Sequence, residues 1–283
     1  MLSNLAVRTS NLIAKGQPIP EFFSFEEIQE IKKLQRLAFD CCVEISKLLK
    51  VGWTEVETAS LMDQFLRDHG IRNFFHSSFA WFGDRTRFQG FTKPWHFLNT
   101  KRRLSENDVI ILDTAPIRGY FMADVGYTLS LTPHEGLEKA KQWLRKIRKE
   151  LPGYFESSMT TAEIWDKVDE EIKLAGFDNV HKIYPFETLA HRVHRLPLTK
   201  MPGVLRPFSI QSYLAGFREG LKTVYLGRGH EGSKVGLWAI EPQVGGPGFG
   251  AKFEEIIVVE PSGKAYWLDD QVPHMLSEEV LYV

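Results

Sequence analysis

The chain has 283 residues, with 35 Lys and Arg against 36 Asp and Glu, 43% hydrophobic and 25% charged. That balance excludes disordered, collagen-like and coiled-coil classes, and a net charge of −1 gives no overall attraction for nucleic acid or an anionic surface. No run approaches the roughly 18 apolar residues of a membrane span, and the adjacent Cys41 and Cys42 form neither a disulfide framework nor a redox motif. The expectation is a cytoplasmic protein without a nucleic-acid or membrane partner, in which residues 1–23 are an N-terminal extension lacking the apolar core of a signal peptide.

Ser24 and Glu27 form a capping box, and Ile28, Ile31, Leu34, Ala38, Cys41, Ile45 and Leu48 follow at helical spacing, so a long helix begins there. Thr54 and Glu57 open a second helix with Val56, Ala59, Met62, Phe65 and Leu66 on its apolar face and Gly70 at its end. Strand-like runs follow at Val109–Asp113 and Val125–Leu131. A helix from about Leu137 to Leu151 turns Leu137, Ala140, Leu144, Ile147 and Leu151 inward and Lys139, Lys141, Arg145, Lys146, Arg148 and Lys149 to its other faces. Thr160 and Glu163 then repeat the capping box, and the helix they open ends at Gly176. Both capped helices have 16 residues from cap to glycine and lie 106 residues apart, which suggests a duplicated unit. Further strands are expected at Leu237–Glu241, Phe253–Val259 and Ala265–Leu268. The glycine-rich stretch Gly245–Gly250 lacks the Lys-Ser/Thr of a phosphate loop and reads as a hairpin.

Several strands carry carboxylates where an unpaired buried charge is expensive. Asp113 ends Val-Ile-Ile-Leu-Asp, Asp124 follows Phe121-Met122-Ala123, Glu241 follows Trp238-Ala239-Ile240, and Glu254 opens Glu-Glu-Ile-Ile-Val-Val. Taken singly, each could cap a turn, pair with a neighbouring arginine or face solvent. Taken together they call for a shared partner, and divalent cations are the partner that oxygen ligands suit.

The ordered series also resembles a known family. Asp113 and Asp124 are 11 apart, Glu241 sits in Ile-Glu-Pro, and Glu254 lies 13 further on in Gly-Ala-Lys-Phe-Glu-Glu. This is similar to the pita-bread metallopeptidases, which include methionine aminopeptidase, aminopeptidase P and prolidase, over nearly the whole chain from about Ser24. The resemblance implies an α+β fold: two pseudo-symmetric α/β halves around a curved antiparallel sheet, one catalytic domain over residues 24–283. It also implies two divalent ions, manganese, cobalt, iron or zinc, on Asp113, Asp124, Glu241, Glu254 and a histidine, with a bridging hydroxide that attacks the scissile carbonyl. Glu241 would manage the proton, and His96 would be a substrate-facing histidine.

The imidazole ligand is where the chain departs from the family, which writes a Gly-His-Gly-Ile-Gly segment where this sequence has Glu187-Thr-Leu-Ala-His191-Arg-Val-His194. One alignment makes His191 the ligand. The other makes His194 the substrate histidine and Glu187 the ligand. Ligand chemistry favours His191. Lys252 stands where the proline-handling branch usually has arginine, and the arginine common after the second aspartate is missing. A segment from about 200 to 231 is inserted, and its Phe208, Tyr213, Leu214 and Phe217 suit a lid, a specificity wall, a homodimer contact or an added packing helix. The activity expected is release of an N-terminal residue from a peptide, Xaa-Pro ahead of Met. The alternatives are a small-metabolite amide or amidine hydrolase like creatinase, and a binding protein that has lost catalysis.

Overall fold

Capping chemistry sets where the helices begin. In the computed structural model, which describes residues 4–15, 22–196 and 209–275, a first helix α1 (Asn4–Lys15) precedes the two capped helices of the N-terminal half. The Ser24 hydroxyl accepts from the Glu27 N–H and Glu27 answers to the Ser24 N–H, opening α2 (Phe25–Leu48). Thr54 and Glu57 do the same for α3 (Glu55–Asp68). Strands β1 (Asn73–Phe74), β2 (Phe79–Phe82), β3 (Val109–Thr114), β4 (Pro116–Arg118), β5 (Phe121–Met122) and β6 (Val125–Ser130) follow.

The second half repeats the order. Helix α4 (Glu135–Glu156) is followed by α5 (Thr161–Leu174) under the Thr160–Glu163 box. Then come β7 (Asp178–Asn179), β8 (Ala190–Arg192), the inserted α6 (Ile210–Glu219) and α7 (Leu221–Val224), and β9 (Tyr225–Leu226). The half closes with β10 (Gly236–Ile240), β11 (Gln243–Gly246), β12 (Phe249–Lys252), β13 (Glu255–Val259) and β14 (Ala265–Trp267). Every strand pairing is antiparallel.

The duplication is visible in the sheet order. One half has β2–β3–β6 and β1–β4–β5; the other has β8–β10–β13 and β7–β11–β12, with β9 and β14 added at the edges. An isolated bridge between Gly126 and Glu254 joins the halves. Two large apolar clusters lie behind the sheets, one around α2 and α3 and the other around α4 and α5. Among the described residues no helix is long and apolar enough to cross a membrane.

Helix α4 runs further than its periodicity predicts. His134 caps it by accepting from the Leu137 N–H at 3.0 Å, and the helix continues through Pro152 to Glu156. Proline removes the N–H that would bond the Arg148 carbonyl. The indole N–H of Trp267 donates to that carbonyl at 2.9 Å instead, so the helix keeps its bonding without a break.

Helix α1 lies against α6 and α7, with the Leu221 N–H donating to Ser10 Oγ at 3.1 Å and the Lys222 N–H to Asn11 Oδ1 at 3.3 Å. Of the inserted segment, Phe208 and the side chain of Tyr213 lie outside the described residues. Leu214 is exposed and Phe217 half-buried.

Candidate metal centre

Each half delivers two carboxylates by the same device. A strand ends in an acid, a tight hairpin intervenes, and the returning strand starts beside a second acid. In the first half β3 carries Asp113, the β4–β5 hairpin intervenes, and Asp124 precedes β6. In the second, β10 leads to Glu241, β11 and β12 form the hairpin expected of the glycine-rich stretch, and Glu254 precedes β13. Antiparallel pairing of β3 with β6 and of β10 with β13 sets the acids of each half side by side. The backbone bonds between Gly126 and Glu254, at 3.0 and 3.2 Å, bring the two halves together. All four carboxylates are buried.

His191 enters from β8, opposite Ala239 of β10. Its Nε2 lies 3.2 Å from Asp124 Oδ2 and 3.5 Å from Glu254 Oε1, and Phe75 stacks on its ring. Two further groups join them. His76 Nε2 is 3.1 Å from Asp124 Oδ1 and 3.3 Å from Asp113 Oδ1. Lys252 Nζ donates to Asp113 Oδ2 at 2.6 Å, Glu254 Oε2 at 2.7 Å and Glu241 Oε2 at 3.1 Å, with the Tyr184 hydroxyl at 3.3 Å.

These contacts set the protonation of the cluster. Burial opposes a charge on His76, but Asp124 and Asp113 outweigh it and raise its pKa to about 10. Burial likewise opposes charge on His191 and Lys252, and their carboxylate partners carry both well above their ordinary values. Burial, reinforced by Glu254, lifts Glu241 to about 8. Asp124 is held below its usual value because His76 and His191 overcome its burial. Burial also pushes Asp113 above its ordinary value, so four carboxylates meet two imidazoles and one ammonium in a buried cluster.

Residues 29–261 match the family model described as metallopeptidase family M24. The chain belongs to this family. A stretch of 107 residues, 38% of the chain, is 30% identical to an uncharacterized peptidase of Staphylococcus aureus (strain USA300) and takes in 28% of that protein's length. Among solved structures, the X-Pro aminopeptidase of Thermotoga maritima MSB8 superposes with a TM-score of 0.63 at 16% identity, over 94% of this chain and 65% of that one. The prolidase of Pyrococcus furiosus gives 0.65 at 18% identity, over 92% and 68% respectively. At these identities the likeness shows the shared fold, the pita-bread architecture that the sequence implies.

Within this M24 fold the structure gathers Asp113, Asp124, His191, Glu241 and Glu254, and leaves three other sequence-derived candidates apart. His96 sits on a turn begun by Pro94, where its Nδ1 accepts from the Thr92 N–H at 3.1 Å and its ring meets Phe91 and Trp95. His96 has these contacts at the turn, and the additional histidine at the carboxylates is His76. His194 meets α6, with Nδ1 3.0 Å from Glu219 Oε2. Glu187 lies in a left-handed turn (φ 54°), and its carbonyl accepts from the Trp165 indole at 2.6 Å. His76 and the reach of Lys252 escape the sequence reading. The rule that picked out the acids applies to His76 as well, since it interrupts the apolar residues between Phe74 and Phe82.

Two overlapping sets of donors are close enough together for a divalent ion. Asp124, His191 and Glu254 each offer an atom within 4.8 Å of the others, and His76, Asp113 and Asp124 form a second such group. Carboxylate oxygens with one imidazole suit manganese, cobalt, iron or zinc. Asp113 and Glu241, the other expected ligands, both accept from Lys252.

Proposed function

We propose that this chain is a metal-dependent aminopeptidase that releases an N-terminal residue from short peptides, with Xaa-Pro substrates ahead of Met substrates. The observation that carries this reading is the convergence, in an M24 chain, of Asp113, Asp124, His191, Glu241 and Glu254 in one buried cluster. The names of the structural relatives, X-Pro aminopeptidase and prolidase, support the substrate preference.

Asp124, His191 and Glu254 would hold the ion, and Asp113 and Glu241 are the family's further ligands, needed for a two-ion centre. When bound, a divalent ion polarises the scissile carbonyl and makes water a stronger acid. Glu241, a buried carboxylate that contacts Lys252, would take a proton from that water and pass it to the leaving amine. His76 would help orient Asp113 and Asp124, and it shares Asp124 Oδ2 with His191. Burial excludes bulk water and strengthens each of these interactions.

The test is a panel of peptides beginning Ala-Pro, Met-Ala and Ala-Ala, assayed with chelated and with manganese-restored protein. Metal-dependent release of the first residue, fastest from Ala-Pro, is expected. One observation favours a second reading. The Lys252 ammonium already contacts three of the carboxylates and supplies a positive charge there without a metal, as a metal-free hydrolase of small carbon–nitrogen bonds could use. Turnover of small amides or amidines by chelated protein, with no peptide cleavage, would establish it.

A further inference from the structure

Lys252 reaches into the middle of the carboxylate cluster. Its stem descends from β12 past Gly126, where a side-chain Cβ would stand 2.5 Å from Lys252 Cε and 3.1 Å from Glu254 Cβ. The glycine makes the room the lysine needs. At the end of that path Nζ meets one oxygen each of Asp113, Glu254 and Glu241 at 2.6, 2.7 and 3.1 Å, with the Tyr184 hydroxyl further off at 3.3 Å.

Glu254 shows how the positions divide. Its Oε2 accepts from Lys252, while its Oε1 turns to His191 and, with Asp124 Oδ2, completes the three-donor group. One carboxylate therefore bridges an ammonium on one side and an ion-sized set of donors on the other. A divalent ion bound by the three oxygens around Nζ would sit about 2.0–2.2 Å from each, as zinc does. That place is already filled by the ammonium, which sterically excludes an ion from the same three oxygens.

We propose that this chain holds a single divalent ion, on Asp124, His191 and Glu254, and that Lys252 is the resident cation of the second position, on Asp113, Glu241 and Glu254. The inference rests on the metal-dependent reading above and revises its stoichiometry from two ions to one.

The experiment is manganese stoichiometry by elemental analysis after removal of loosely held metal, with Mn(II) electron paramagnetic resonance on the same samples. Wild type should hold one equivalent with the six-line signal of an isolated ion. Lys252→Met, which keeps the length of the stem and removes the charge, should hold two with an exchange-coupled signal. Asp113→Asn should keep one equivalent, since Asp113 serves the lysine; this variant retains Lys252 and covers the case in which Lys252→Met does not fold. Two equivalents in wild type, one in folded Lys252→Met, or loss of the ion in Asp113→Asn would each overturn the lysine assignment and leave a metal-dependent enzyme standing. No manganese in wild type would instead remove the metal-dependent reading, and the inference with it.

Discussion

Replacing Arg148 by Met should destabilise the protein sharply without touching the ligands of the candidate centre. Glu254 and Glu255 are neighbours, and their side chains leave the chain on opposite faces. Glu254 joins the cluster. Glu255 meets Arg148 of α4 instead, through Nε to Oε1 at 2.5 Å and Nη2 to Oε2 at 2.8 Å, and Nη2 also donates to the Asp269 carbonyl at 3.0 Å. The side chains are 6% and 0% exposed. Met preserves much of the stem's packing and removes the guanidinium, leaving Glu255 with the edge of His274, whose Nε2 is 2.7 Å from Oε1. Breaking a buried pair in this way costs about 3–5 kcal/mol. With an unfolding entropy of about 2.1 cal/mol/K per residue over 283 residues, that corresponds to a fall in Tm of about 5–8 °C. Thermal melts of wild type, Arg148→Met, Glu255→Gln and the double variant would measure it. The double variant should lose less than the two single losses combined, because no charge is left stranded. A Tm for Arg148→Met within about 1 °C of wild type, or strict additivity, would refute the reasoning.

Asp124→Asn should abolish tight manganese binding and peptide cleavage together, while His96→Ala should leave manganese binding unchanged; elemental analysis and the peptide assay check the pair. His181 is buried and its pKa is depressed to about 3. The folded state therefore binds its proton less readily than the unfolded chain, so stability is present above the ordinary histidine value of 6.5 and declines as pH falls below it, by about 1.4 kcal/mol per pH unit. His181→Asn should show a smaller fall in Tm than wild type between pH 7 and pH 4, and an equal fall would contradict this. Trp267→Phe should cost about 1–3 kcal/mol by leaving the Arg148 carbonyl without its donor, measured by urea denaturation.

The helix starts were legible because Ser24, Thr54 and Thr160 each carry a glutamate three residues on, and that chemistry is local. The four acids were legible because a carboxylate in an apolar strand needs a partner wherever the strand lies. Other features depend on contacts between distant residues. The passage of α4 through Pro152 relies on Trp267, more than a hundred residues away, and the docking of α1 relies on α6 and α7. His76 and His96 are both histidines near aromatic residues, and only the turn at Pro94 and the loop before β2 decide which one meets Asp124. Lys252 was noticed as a substitution for arginine, but its path past Gly126 onto three acids exists only once the two halves are paired.

The most direct test of the account is hydrolysis of an Ala-Pro peptide by chelated protein, by the same protein restored with manganese, and by Asp124→Asn treated in parallel. The account predicts release of the N-terminal alanine by the restored wild type alone. Equal turnover by the chelated protein or by folded Asp124→Asn would contradict it.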